Sequence, residues 1–279
     1  MNWIKKGLNY FIFGNFFIAI VAVVMTVSSY YTFGLKINAF LLAFVFAGTL
    51  CSYSLHWFLS EEPLPGKERE KWTLSHKKLL VSSFLLSLPA SIFLFLKLEN
   101  HPRMYASGLG LATFLYSAPK IPFRPFILLR TIAFGKTFYL AFVWTFTTVI
   151  LPLSEWHLQN SAEVWLFFLY RLSLLLPICV LFDYKDKETD LQQGLSSLIY
   201  SLSWTQTKYL ILGCLFVFFL SCIGLTFDNA RWIYGFWLAI PGIGLLLLLP
   251  QYEKPASDYY YYIYLDGLMM GSGLISWFI

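Results

Sequence analysis

The chain has 279 residues, of which 58% are hydrophobic and 13% charged, with a formal net charge of +5 and a mean hydropathy of +0.64. A water-soluble domain carries about 25% charged residues, so this chain has roughly half the charge needed to coat a globular surface. That excludes a soluble globular fold and leaves a membrane protein whose positive charge reflects topology and headgroup contact; nothing in it points to nucleic acid.

A membrane span needs roughly 20 apolar residues to cross about 30 Å of hydrocarbon. Nine stretches qualify in chain order: 9–31, 37–59, 79–97, 103–119, 129–152, 163–182, 207–226, 230–250 and 258–278. They predict an all-α polytopic bundle of about nine transmembrane helices forming a single domain over residues 1–279. The first stretch follows Lys5 and Lys6, as in a signal peptide. It is too long for a signal h-region and lacks a small-x-small exit, so it reads as a retained helix. Cys51, Cys179, Cys214 and Cys222 fall inside these stretches without CxxC spacing, which suits packed thiols and indicates neither zinc nor disulfides. Basic residues set the orientation. With a cytoplasmic N-terminus, the inner side holds fourteen of them, including Lys5, Lys6, Arg69, Lys120, Arg124 and Lys185, against Lys36, Lys97, Arg103 and Arg231 outside. Nine crossings then put the C-terminus on the far side.

The polar groups fall in a few places. The loop 60–78 mixes signs densely; it reads as a solvated connector or as a lid bringing Arg69 or Lys71 to a phosphate. Tyr116-Ser-Ala-Pro119-Lys120-Ile-Pro122-Phe-Arg124-Pro125 ends the fourth stretch with three prolines that stop a helix. It is either a tight connector or a holder of two cations, Lys120 and Arg124, over a diphosphate. Lys136 lies roughly 10 Å inside the fifth stretch, and Arg171 about 18 Å from Asp183 along the sixth. Arg171 and Asp266 share a similar depth and have opposite signs, so an intramembrane ion pair between them is expected. The run Asp183-Tyr-Lys-Asp186-Lys-Glu-Thr-Asp190-Leu-Gln-Gln-Gly194 sets three carboxylates at i, i+3 and i+7. On a helix these fall within roughly 60° of one another. Such a set suits a hard divalent cation that bridges to a substrate phosphate, or else is a solvated acidic loop countered by Lys185 and Lys187. Aromatic residues make up 20% of the chain; Trp3 and the run Tyr259–Tyr262 read as interfacial belt residues.

Asp183-x-x-Asp186-x-x-x-Asp190-x-x-x-Gly194-x-x-Ser197-Leu198 resembles the second aspartate-rich motif of the UbiA superfamily of intramembrane prenyltransferases. Tyr116-Ser117-Ala118-Pro119 with its basic loop is similar to the Tyr-Ser-x-Pro that ends that family's fourth helix, and nine helices is the family's architecture. The family's first motif, N-D-x-x-D-x-x-x-D, is not matched. The corresponding stretch is Cys51-Ser-Tyr-Ser-Leu-His56-Trp-Phe-Leu-Ser60-Glu61-Glu62, where the spacing runs through Ser52, His56 and Ser60.

The resemblance implies an Mg²⁺-dependent transfer of an isoprenyl group from a prenyl diphosphate to a lipophilic, often aromatic, acceptor. Asp183, Asp186 and Asp190 would hold Mg²⁺, with His56, Glu61 or Glu62 as further ligands. Lys120, Arg124, Lys136, Arg69 and Tyr116 would face the diphosphate. The alternatives are a catalytically degenerate member that binds lipid or scaffolds a partner, and a small transporter using Arg171 and Asp266 as a relay. The oligomeric state, the prenyl length and the acceptor are not legible in the sequence.

Overall fold

The structure is a computed structural model, and it describes residues 2–59, 68–121, 123, 135–156, 161–192, 197–227, 232–253 and 257–278. Among these residues eleven longer helices form the molecule. They are α1 (Asn2–Phe13), α2 (Phe16–Thr32), α3 (Ala39–Phe58), α4 (Glu68–Ser75), α5 (Lys77–Lys97), α6 (Asn100–Ser117), α7 (Lys136–Thr145), α8 (Ala162–Gln192), α9 (Trp204–Phe227), α10 (Trp232–Leu248) and α11 (Asp266–Leu274). A π-helical segment, Phe146–Ile150, continues α7, and another, Tyr261–Leu265, leads into α11.

Six helical stretches are long and apolar enough to cross a membrane, and a seventh is gained if α1 and α2 count as one bent span. The chain is therefore a multi-span helical membrane protein. Its surface agrees: Leu86 on α5 and Leu247 on α10 are each 74% exposed, a pattern that water disfavours and lipid accepts. α8 is the most enclosed of these helices and α5 the least. α8 packs along α7 and α9, α3 along α5, and α2 against α3 and α11. Val164, Phe167, Tyr170, Leu174, Ile178 and Leu181 carry α8 through the middle of the core.

Three of the nine expected stretches take a different form. The first is two helices that meet at 56°, because Asn15 adopts a left-handed conformation with φ 69°. A Cβ at Gly14 would stand 2.1 Å from the Tyr10 carbonyl oxygen, so the glycine is required at this break. The fourth, α6, is 18 residues long but is not among the six, since Asn100, His101, Arg103 and Ser107 dilute its hydropathy. The ninth is divided by the π segment before Asp266. The sixth runs ten residues further than its apolar sequence, to Gln192, so the acidic run continues the helix. All four cysteines are free thiols.

Candidate functional site: a pocket at the acidic end of α8

Because α8 stays helical through the acidic run, Cys179, Asp183, Asp186 and Asp190 form one stripe along it. All four line a pocket of about 270 Å³. Facing them are Tyr53, His56 and Trp57 from α3, Arg69 from α4, Tyr116 and Lys120 from the end of α6, Lys136 and Trp144 from α7, and Asp266 from α11. The carboxylates, Lys120, Lys136, Arg69, Tyr116 and His56, separated by up to 134 positions in sequence, thus meet at one hollow.

Each of the three acids is engaged by a protein donor. Asp183, only 7% exposed, accepts from the hydroxyls of Thr137 and, at 3.0 Å, Ser197. Asp190 Oδ2 accepts from Lys136 Nζ at 2.8 Å and from the Tyr200 hydroxyl. Asp186 lies 3.5 Å from Lys185 Nζ, which also pairs with Asp258 Oδ1 at 2.8 Å. Among the described residues no three His, Cys, Asp or Glu side chains converge on a point that a metal ion could take. As arranged, these acids are not free for the expected Mg²⁺: Oδ2 of Asp183 already accepts from two hydroxyls, and Oδ2 of Asp190 from an ammonium and a hydroxyl. His56 stacks on Tyr116 with ring centroids 5.4 Å apart, and its Nδ1 sits 3.3 Å from Ser117 Oγ. Glu61, Glu62 and Arg124 lie outside the described residues.

Three cations face the hollow. Lys136 spends one of its three ammonium protons on Asp190 and sits 5.9 Å from the centre of the Tyr116 ring. Lys120 lies 5.7 Å from the centre of the Trp57 ring. Burial pushes its pKa down to about 8, helped by the neighbouring charge of Lys136 and opposed by Asp190 and Asp186. Arg69 is held most firmly. Its guanidinium lies between the rings of Trp57 and Tyr262, at 4.0 and 4.2 Å, and donates to Asn15 Oδ1 at 2.7 Å. Its backbone N–H donates to Asp258 Oδ2 at 2.8 Å, and among the described residues its Nε has no hydrogen-bond partner. Lys71, the other cation expected of this loop, is exposed.

Two sequence expectations are corrected. Arg171 and Asp266 form no ion pair: Arg171 donates to Ser28 Oγ on α2 at 2.9 Å, whereas Asp266 lines the pocket. On a helical wheel Arg171 lies roughly 90° from the Cys179–Asp190 stripe, and it stands about 12 Å along α8 from Cys179, beside which Asp266 lies, so neither azimuth nor depth brings the two groups together. Tyr261 and Tyr262 are buried rather than interfacial, and Tyr262 forms one wall of the Arg69 slot. Sequence reasoning also passed over Thr137, Tyr200 and Trp57. The only hint of them was the proximity in sequence of Thr137 to Lys136 and of Trp57 to His56. No protein-family model, no curated protein and no solved structure matches the chain.

Proposed function

We propose that this pocket binds a prenyl diphosphate and transfers its prenyl group to a lipophilic acceptor, in a fold of the UbiA type. One observation carries the reading: residues that the motif resemblance picks out independently, Asp183, Asp186 and Asp190 on one side and Tyr116 and Lys120 on the other, line the same hollow, together with Lys136. In this reading α6 and the divided last helix complete nine crossings, and the basic-residue bias puts the pocket mouth on the cytoplasmic side.

Chemically, the bond between the allylic carbon and the diphosphate oxygen breaks, and its electron pair leaves with the diphosphate. The carbon bonds to the acceptor's nucleophilic atom, which then gives up a proton. Charge grows on the leaving oxygens, where Lys120, Lys136 and Arg69 are prepositioned in a water-poor site. The electron-deficient carbon gains from the π faces of Tyr53, Tyr116, Tyr139 and Trp144 along the wall. No step is drawn through Mg²⁺, because the described acids hold protein donors.

A second reading, a binder without turnover, is favoured by the hydroxyl and imidazole groups of Ser52 and His56 where the family has acids. The transporter reading loses its relay with the Arg171–Asp266 pair.

The test is equilibrium binding of radiolabelled farnesyl diphosphate to the purified chain in detergent, with and without Mg²⁺, followed by assay of inorganic diphosphate release with a mixture of lipophilic phenols. Saturable binding with release supports transfer. Binding without release selects the second reading. No saturable binding in either buffer overturns both.

A further inference from the structure

The pocket has a second level whose polar groups the diphosphate reading leaves unused. Three helices mark its depth. On α8, Cys179 is one turn, about 6 Å, further in than Asp183; on α3, Tyr53 is about one turn further in than Trp57; on α7, Trp144 is about 12 Å further in than Lys136. All of these line the hollow. Asp266 belongs to this inner level, close enough to Cys179 and Tyr53 to act on both electrostatically.

Asp266 is 5% exposed, and among the described residues no hydrogen bond or ion pair reaches its carboxyl group. The Tyr53 hydroxyl accepts from Trp144 Nε1 at 3.1 Å, and no described group accepts its own proton. By contrast, the nearby hydroxyls of Ser52, Thr113 and Thr147 bond back to carbonyls of their own helices. A buried polar group without a partner is costly, and a carboxyl especially so. One acceptor and one donor therefore stand uncommitted on the wall of an apolar cavity. The backbone is shaped around them too. The two π segments among the described residues fall at this level, one ending at Leu265 just before Asp266 and one starting two residues after Trp144; such turns shift side chains out of α-helical register.

We infer that Asp266 and Tyr53 form an inner subsite for the hydroxyl group of a lipophilic alcohol or phenol, the Tyr53 phenol donating to its oxygen and the Asp266 carboxyl accepting its proton. The inference deepens the transfer reading and rests on it only in making that hydroxyl compound the acceptor.

The probes are 4-octylphenol and its methyl ether, 4-octylanisole, which can accept from Tyr53 but has no proton for Asp266. Binding of each is measured on the full chain in detergent, without any diphosphate. The phenol binds at least tenfold tighter than the ether. Asp266→Asn, which keeps a carbonyl acceptor, retains the preference; Asp266→Leu abolishes it; Tyr53→Phe weakens both probes alike. Equal affinity of the parent chain for the two probes overturns the subsite, as does a preference that survives Asp266→Leu. Should Asp266→Leu fail to fold, the parent ratio together with Tyr53→Phe still decides. Farnesyl diphosphate binding is measured separately on the same samples. Its absence alongside a clear phenol preference sinks the transfer reading and leaves the subsite standing.

Discussion

Arg171 and Asp190 lie on the same helix, yet α8 treats the two charges in opposite ways. Oδ2 of Asp190 accepts from Lys136 and Tyr200 and Oδ2 of Asp183 from Thr137 and Ser197, and a hollow opens in front of them. Arg171 is fully buried, donates to Ser28, lies 5.1 Å from the centre of the Phe167 ring, and leaves Nε and Nη1 without hydrogen-bond partners among the described residues. The first arrangement is a paired set whose members can exchange a partner for a guest. The second is a charge enclosed by packing, and it does not line that hollow. Burial of charge alone therefore does not mark a site; a paired charge next to an open volume does.

The sharpest test of that contrast is Lys136→Met. It leaves the part-buried Asp190 with only the Tyr200 hydroxyl among the described residues, so stability falls by up to about 3 kcal/mol and farnesyl diphosphate affinity drops by more than about tenfold, or 1.4 kcal/mol. The double change Lys136→Met with Asp190→Leu recovers at least half of the lost stability but none of the binding. Thermal inactivation in detergent and equilibrium binding read the two effects. A preserved affinity in Lys136→Met would place the guest elsewhere.

The next effect is a pH dependence. Lys120 titrates at about 8, so it is charged below that pH and neutral above it. Affinity for farnesyl diphosphate weakens as pH rises from 7 to 9, by up to about tenfold, or 1.4 kcal/mol, and Lys120→Arg, which keeps its charge throughout, flattens the profile. The smallest effect belongs to Arg171→Met. Removing a poorly partnered buried charge in favour of an apolar chain of similar length changes stability by less than about 1 kcal/mol in either direction and leaves binding untouched. A large loss of binding there would erase the contrast between the two halves of α8.

Much of this was legible from local pattern. The three-carboxylate spacing is read correctly as one helical face, because Asp183, Asp186 and Asp190 need only the 3.6-residue period to align. Depth was legible for Arg171, which sits well inside a long apolar helix. It was not for Lys136, expected roughly 10 Å inside the fifth stretch, since α7 begins at Lys136 itself with Gly135 as its N-cap. Azimuth was not legible. Arg171 and Asp266 carry opposite signs within apolar stretches, yet one faces α2 and the other the pocket, which depends on how α8 and α11 are set by their neighbours. The break at Gly14 and Asn15 hides within a continuous apolar run, because hydropathy does not register a left-handed backbone residue. The saturation of the acids also escaped the sequence reading. Thr137, Ser197 and Tyr200 are ordinary polar residues until tertiary packing brings them to Asp183 and Asp190.

The bond from Arg69 to Asn15 has a mechanical consequence. Asn15 is the elbow between α1 and α2, and the same arginine is clamped by Trp57 and Tyr262 and anchored through its amide to Asp258. The short helix α4 cannot swing away from the pocket without unlatching that elbow. α4, which lines the hollow through Arg69, and α1, which carries the 86%-exposed Trp3, are thereby tied at one point.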